Sequence, residues 1–196
     1  MTASIDPARD FMLRNSRTLD HRGFEFHFED ASGDTVLAAL GAYRNPDGGF
    51  GYALEADLRT SASQPIFWEV GLAVLAGVGA TGHPWETKTC DLFQTAAEVS
   101  GRVHPILASA LLAPRANHWE LKGWAPNTRN PTAGLVGYLS AFAVEHPWLD
   151  RAAAWLWERI DSGSIDDVHE LAGVNTFLLL VPDRSRAEAT GDSVMA

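Results

Sequence analysis

The sequence has 196 residues, of which 25 are acidic and 15 are basic, and its formal net charge is -10. This length fits one domain, which we expect to span residues 1–196. The acidic balance argues against a nucleic-acid partner, because such proteins carry basic surfaces. The single cysteine, Cys90, excludes an internal disulfide. An N-terminus without an apolar leader, and the lack of any apolar run of about 20 residues, predict a cytoplasmic protein without a membrane span.

Prolines mark several predicted helix starts, because the first turn of a helix needs no N–H from that residue. They follow Asp6, Gln64, His83, Asn130 and His146. Together with the spacing of apolar residues, these starts predict helices over 6–20, 34–44, 65–79, 85–99, 131–145, 147–162 and 166–181, with an eighth helix from Asp183. Segment 23–29 alternates aromatic and polar residues and is predicted to be extended. The polar sequence from about residue 187 is predicted to be a C-terminal tail.

The predicted helices are of two kinds. Helices 65–79 and 131–145 are apolar nearly all round, whereas 85–99 and 147–162 each carry one apolar stripe and one charged face. A double layer of paired helices requires this alternation of buried and striped helices, while a simple four-helix bundle would show stripes throughout. We therefore predict an all-α fold, an α/α toroid-like array of helical hairpins. An irregular helical globule is the alternative.

Segment 43–51, which reads Tyr-Arg-Asn-Pro-Asp-Gly-Gly-Phe-Gly, is predicted to be a turn after the second predicted helix. Pro46 fixes its own φ, Asp47 can cap, and the glycines permit positive φ. The segment resembles the glycine-rich, aromatic QW-type repeat of squalene cyclases and prenyltransferase β-subunits, although Arg44 stands where that family usually has glutamine. The resemblance implies a terpenoid cyclase/prenyltransferase-like α/α toroid in which the turn holds helix pairs together.

Rings of that family have more helix pairs than this chain supplies, so the resemblance implies an incomplete or shortened ring. Such a ring exposes apolar edges, and a homodimer is one way to cover them.

The long connections 51–64 and 100–130 are predicted to lie at one end of the array, which is where we expect a binding site. Asp57 and Glu55 directly follow the turn and are the candidate catalytic acids; two carboxylates there could also hold a divalent cation. Arginines in these two connections suit an anionic group, and aromatic residues there suit an apolar or cationic ligand. The candidate ligand-binding residues are Arg59, Arg115, His118, Trp119, Trp124 and Arg129. The alternative is that the arginines are solvated or paired with Glu55, Asp57 and Glu120.

Two further patterns bear on metals and acid motifs. Asp166 and Asp167 resemble part of the Asp-x-Asp-Asp motif of class II terpene cyclases, but Ser164 occupies the first position; the alternative is that they cap the next helix. Cys90 lies on a predicted outer helix, away from the loops, which does not fit the zinc site of protein prenyltransferases. We therefore predict no metal or other cofactor.

The resemblance implies binding of an isoprenoid-like, diphosphate-bearing or other hydrophobic small molecule, with prenyl transfer or cyclisation as the chemistry. Two other functions fit the residues. One is a non-catalytic, degenerate toroid that acts as an interaction module. The other is a carbohydrate-active α/α barrel that uses Glu55, Asp57 and Glu120 as its acids.

Overall fold

The computed structural model describes residues 4–121, 128–165 and 167–194. Within these ranges the chain is helical and contains no strand beyond two isolated bridges, Arg44 with Phe50 and Leu58 with Arg115. The helices are α1 (Asp6–Asn15), α2 (Thr18–Phe28), α3 (Gly33–Gly41), α4 (Pro65–Gly77), α5 (Pro84–Ala96), a short 3-10 helix (Ala108–Leu112), α6 (Thr132–Ala141), α7 (Pro147–Ser162), α8 (Val168–Leu180) and α9 (Arg184–Val194). The predicted all-α class is therefore confirmed.

Proline starts α4, α5 and α7, as predicted from the sequence. Local caps explain two of these starts: the ring nitrogens of His83 and His146 accept hydrogen bonds from backbone N–H groups in the first turn. Glu86 completes a capping box at α5 by accepting from the His83 N–H at 2.9 Å. The helix predicted from Asp183 is also present as α9, and it continues through the polar segment as far as Val194.

Two predictions near the N-terminus are wrong. The predicted helix 6–20 is interrupted because Ser16 and Arg17 adopt extended backbone angles. Segment 23–29, predicted to be extended, belongs mostly to α2. Phe24 and Phe28 are one helical turn apart and their tilted rings have centroids 5.2 Å apart, while Phe26 packs against the core. Contacts along the helix and with the core therefore outweigh the alternating pattern.

The helices pack in two rows of neighbours. One row contains α4, α6 and α8, and α5 packs beside α7 in the other. Most side chains of α4 and α6 are buried, whereas α5 and α7 bury one stripe each. The alternation of buried and striped helices is thus confirmed, and the toroid arrangement stays a prediction. No helix in the described ranges combines the length and the apolar character needed to cross a membrane.

The turn over 43–51 follows α3 and packs against α4 and α5. Asp47 Oδ1 accepts a hydrogen bond from the Gly49 N–H at 2.8 Å, and the Phe50 ring is fully buried. A Cβ at Gly71 would lie 2.4 Å from this ring, so only glycine allows α4 to approach it. The Arg44 guanidinium lies between 4.8 and 5.0 Å from the centroids of three aromatic rings, those of Phe50, Trp68 and Trp85.

Candidate functional site

A cleft of about 750 Å³ lies beside the two long connections, 42–64 and 97–131. Its titratable lining consists of four carboxylates and two histidines, Glu55, Asp57, Asp167, Glu170, His118 and His169, and Thr128 and Asn130 add uncharged polar groups. Its apolar lining includes Trp119 and Ile66, the latter from the first turn of α4. The structure thus places acidic, titratable and aromatic groups around one space, at the end where the sequence predicts a site.

The position of Glu55 and Asp57 follows from the leucines beside them. Leu54 and Leu58 are fully buried and fix the loop on the core, which leaves the two acids between them to face the cleft. The two long connections are also joined by backbone hydrogen bonds. The N–H of Arg59 donates to the Pro114 carbonyl, and the N–H of Ala116 donates to the Asp57 carbonyl, both at 2.9 Å.

Asp57 organises one wall of the cleft. Its Oδ1 accepts a hydrogen bond from Trp119 Nε1 at 2.7 Å, and its Oδ2 lies 3.4 Å from His118 Nε2. The two rings that it contacts are neighbours, with centroids 4.8 Å apart. Asp57 therefore orients both aromatic residues, which keeps Trp119 in the wall rather than in solvent.

Glu55 is in a different electrostatic environment. Burial raises the pKa of its carboxyl, and the negative charge of Asp57 raises it further, while Arg17 and His118 act in the opposite direction. Arg17 stabilises the loop that carries Glu55, since its Nη1 donates hydrogen bonds to the carbonyls of Ala53 and Leu54. Glu55 is therefore protonated at a higher pH than an exposed glutamate, as a proton donor requires.

The three candidate arginines are not part of the cleft lining that the structure describes. Arg59 is exposed and donates a hydrogen bond of 3.3 Å to a backbone carbonyl of its own loop. Arg115 Nη2 pairs with Glu120 at 2.8 Å, and buried Arg129 pairs with Glu170 at 2.8 Å. Protein carboxylates thus already neutralise two of them. The last candidate, Trp124, lies outside the described residues.

The N-terminus of α8 contributes residues that sequence reasoning did not select. Glu170 Oε1 accepts hydrogen bonds from both the N–H and the guanidinium of Arg129, which joins α8 to the start of α6. The feature of the sequence that could have pointed to Glu170 is its charge in a mostly apolar helix. The predicted capping role of Asp167 is confirmed, because its Oδ1 accepts from the Glu170 N–H at 2.9 Å. Asp166 lies outside the described residues.

Among the described residues, no group of three or more histidine, cysteine or acidic side chains has the arrangement needed to hold a metal ion. Cys90 is buried on α5, where burial raises the pKa of its thiol to about 12. The thiol therefore stays protonated at neutral pH, which makes it a poor metal ligand.

Comparison with protein-family models, with curated proteins and with solved structures finds no match to this chain. Chemically, the cleft offers four carboxyl groups, of which Glu55 has a raised pKa, and an aromatic wall.

Proposed function

We propose that this chain is a small-molecule-binding protein of the terpenoid cyclase/prenyltransferase-like α/α-toroid superfamily. We further propose that its cleft binds a ligand with an apolar, isoprenoid-like body and a cationic head. The superfamily assignment is supported by the turn at 43–51, whose Phe50 ring is fully buried, and by the two rows of helices. The ligand class rests on one observation: four carboxylates line the cleft, and among them only Glu170 forms an ion pair with a described arginine.

The charge of the cleft decides between a cationic and an anionic ligand. An anionic head about 5 Å from one carboxylate is repelled by about 3 kcal/mol at an effective dielectric constant of about 20. A cationic head gains a similar amount, and aromatic rings such as Trp119 attract cations as well. The arginines that could offset the repulsion, Arg115 and Arg129, are held by Glu120 and Glu170. A diphosphate-bearing ligand is therefore disfavoured, and so is prenyl transfer from one.

The apolar body of the ligand would lie against Trp119 and Ile66, which are almost completely buried in the cleft wall. Burying an isoprenoid unit against such a wall is favourable by about 0.8 kcal/mol for each methylene removed from water. For an acid-initiated cyclisation, Glu55 is our candidate proton donor. Asp57, hydrogen-bonded to Trp119, would position that wall.

A matched ligand series tests the proposed function. Geranylamine, geraniol and geranyl diphosphate share one apolar body and differ in the charge of the head. We expect geranylamine to raise the melting temperature most, since a ligand at a hundredfold excess over its dissociation constant adds about 2.7 kcal/mol. Stabilisation by the diphosphate but not by the amine would overturn the charge argument.

A pair of matched variants tests whether the ligand binds in the cleft. Asp57→Asn removes one carboxylate charge from the cleft and should weaken geranylamine binding. Asp161→Asn makes the same change on α7, where the side chain pairs with Arg186 at the surface, and should leave binding unchanged. Equal effects of the two variants would show that the ligand does not bind in the cleft.

An interaction module is the second candidate, because α8 exposes Val168 and Leu179, which keep 70% and 61% of their surface accessible. The absence of a thermal shift with all three ligands, together with a dimer in light scattering, would favour this function. The carbohydrate-active alternative has less support, because Glu120, the acid it needs, pairs with Arg115.

A further inference from the structure

Glu69 is the one charged side chain of α4, and it lies one turn beyond the cleft-lining Ile66. Residues three apart lie on the same side of a helix, so Glu69 continues the cleft-facing side of α4 inward. The structure gives this side chain partial solvent access, although α4 is otherwise mostly buried. Glu69 is not among the residues that line the cleft, and it lies one helical turn beyond the lining residue Ile66.

Two glycines make room for the Glu69 carboxyl between the inner helices. A Cβ at Gly134 on α6 would lie 1.9 Å from Glu69 Oε1, and a Cβ at Gly173 on α8 would lie 3.9 Å from it. No described residue forms a hydrogen bond or ion pair with this carboxyl. A carboxyl that is largely shielded from water and has no protein partner is unfavourable in its charged form, and a ligand cation is a group that can compensate that charge.

The groups around Glu69 make its negative charge unfavourable. Burial raises the pKa of Glu69 to about 8, and the charge of Glu55 adds to this effect. Tyr138 is the titratable neighbour on α6; burial, followed by the charge of Glu69, raises its pKa as well. On α8, the neighbour of Tyr138 is the uncharged Thr176. The carboxyl is therefore neutral at pH 7 until a positive charge arrives.

We propose that Glu69 binds the cationic head of the ligand and releases its proton to solvent when the head enters. This inference rests on the proposed function and names the residue that recognises the head. The O–H bond of the Glu69 carboxyl breaks, its proton goes to water, and the carboxylate pairs with the ligand cation. Binding is therefore linked to pH, and the affinity rises as the pH rises.

Isothermal titration of geranylamine at pH 7, 7.5, 8 and 8.5 tests this proposal. An alkylammonium stays charged throughout this range. We expect the affinity to rise about fivefold between pH 7 and 8, with release of about 0.9 proton per ligand at pH 7. Repeating each titration in phosphate and in Tris measures that proton from the difference in buffer ionisation heat.

Glu69→Gln should weaken geranylamine binding at least tenfold at pH 8 and abolish both the pH dependence and the proton release. Gly134→Ala provides a second variant, since its methyl group would displace the Glu69 carboxyl, and it should have the same effect. Glu158→Gln makes the same change as the first variant on the exposed face of α7 and should bind like the wild type.

The possible failures are distinguishable. Binding by the wild type without proton release, or with the same affinity in Glu69→Gln, overturns the role of Glu69 and leaves the proposed function standing. The absence of geranylamine binding by the wild type overturns both proposals.

Discussion

Replacing Glu69 by glutamine should stabilise the protein at alkaline pH and change little at pH 5. The folded state raises the pKa of this carboxyl from its usual 4.5 to about 8, so between these values the folded protein holds a proton that the unfolded chain has lost. Stability therefore falls as the pH rises through this window and becomes constant above it. Glutamine resembles the neutral acid at every pH, so the free energy of unfolding of the variant does not fall in this way.

The size of the effect follows from the same window. The interval between 4.5 and about 8 corresponds to about 5 kcal/mol, because one pH unit is worth about 1.4 kcal/mol. Water reaches part of the Glu69 side chain and reduces this value, so we expect Glu69→Gln to gain about 2–4 kcal/mol at pH 8.5 and less than about 1 kcal/mol at pH 5.

Urea unfolding followed by tryptophan fluorescence at both pH values measures the two free energies of unfolding. Glu158→Gln, on the exposed face of α7, is the control and should differ from the wild type by less than about 0.5 kcal/mol at either pH. A Glu69→Gln variant that is less stable than the wild type at pH 8.5 would show that the carboxylate has a partner that stabilises it, and would refute this reasoning.

Three further substitutions test the packing around the site in urea unfolding. Gly71→Ala should destabilise the fold by about 1–3 kcal/mol, because the new methyl group would overlap the Phe50 ring; no loss would mean that the ring can move. Arg44→Lys should cost about 1 kcal/mol, because an ammonium cannot replace a planar guanidinium among three aromatic rings, and an unchanged midpoint would contradict this. Glu170→Gln should cost about 3–5 kcal/mol at pH 7, because it leaves buried Arg129 without its counter-charge; a loss below 1 kcal/mol would argue against the buried pair.

The helices that the sequence predicted well are those whose signals are local. Proline in the first turn and a clear apolar pattern located α4, α5 and α7, because both act within a few residues. Segment 23–29 failed because its aromatic alternation fits a strand, while its helical state depends on packing against the core.

The candidate site was predictable only in part. Glu55 and Asp57 could be placed at a rim because they directly follow the turn. The partner of Asp57, however, is Trp119, which lies 62 residues further along the chain, and no local pattern links them. Glu69 carried a local signal, a single acid in an apolar helix, but the glycines that accommodate it come from two other helices. Its environment is a property of the packed structure.

The two acids of the inner helices, Glu170 and Glu69, differ in how their charges are compensated. Glu170 on α8 accepts two hydrogen bonds from Arg129, so its charge is compensated within the protein and its removal should destabilise the fold. Glu69 on α4 has no such partner among the described residues, and its removal should stabilise the fold at alkaline pH. A residue that lowers stability where it stands is expected at a binding site rather than in a core. Opposite signs for the two substitutions at pH 8.5 would therefore show that the charge of Glu170 is compensated within the protein and that of Glu69 is not.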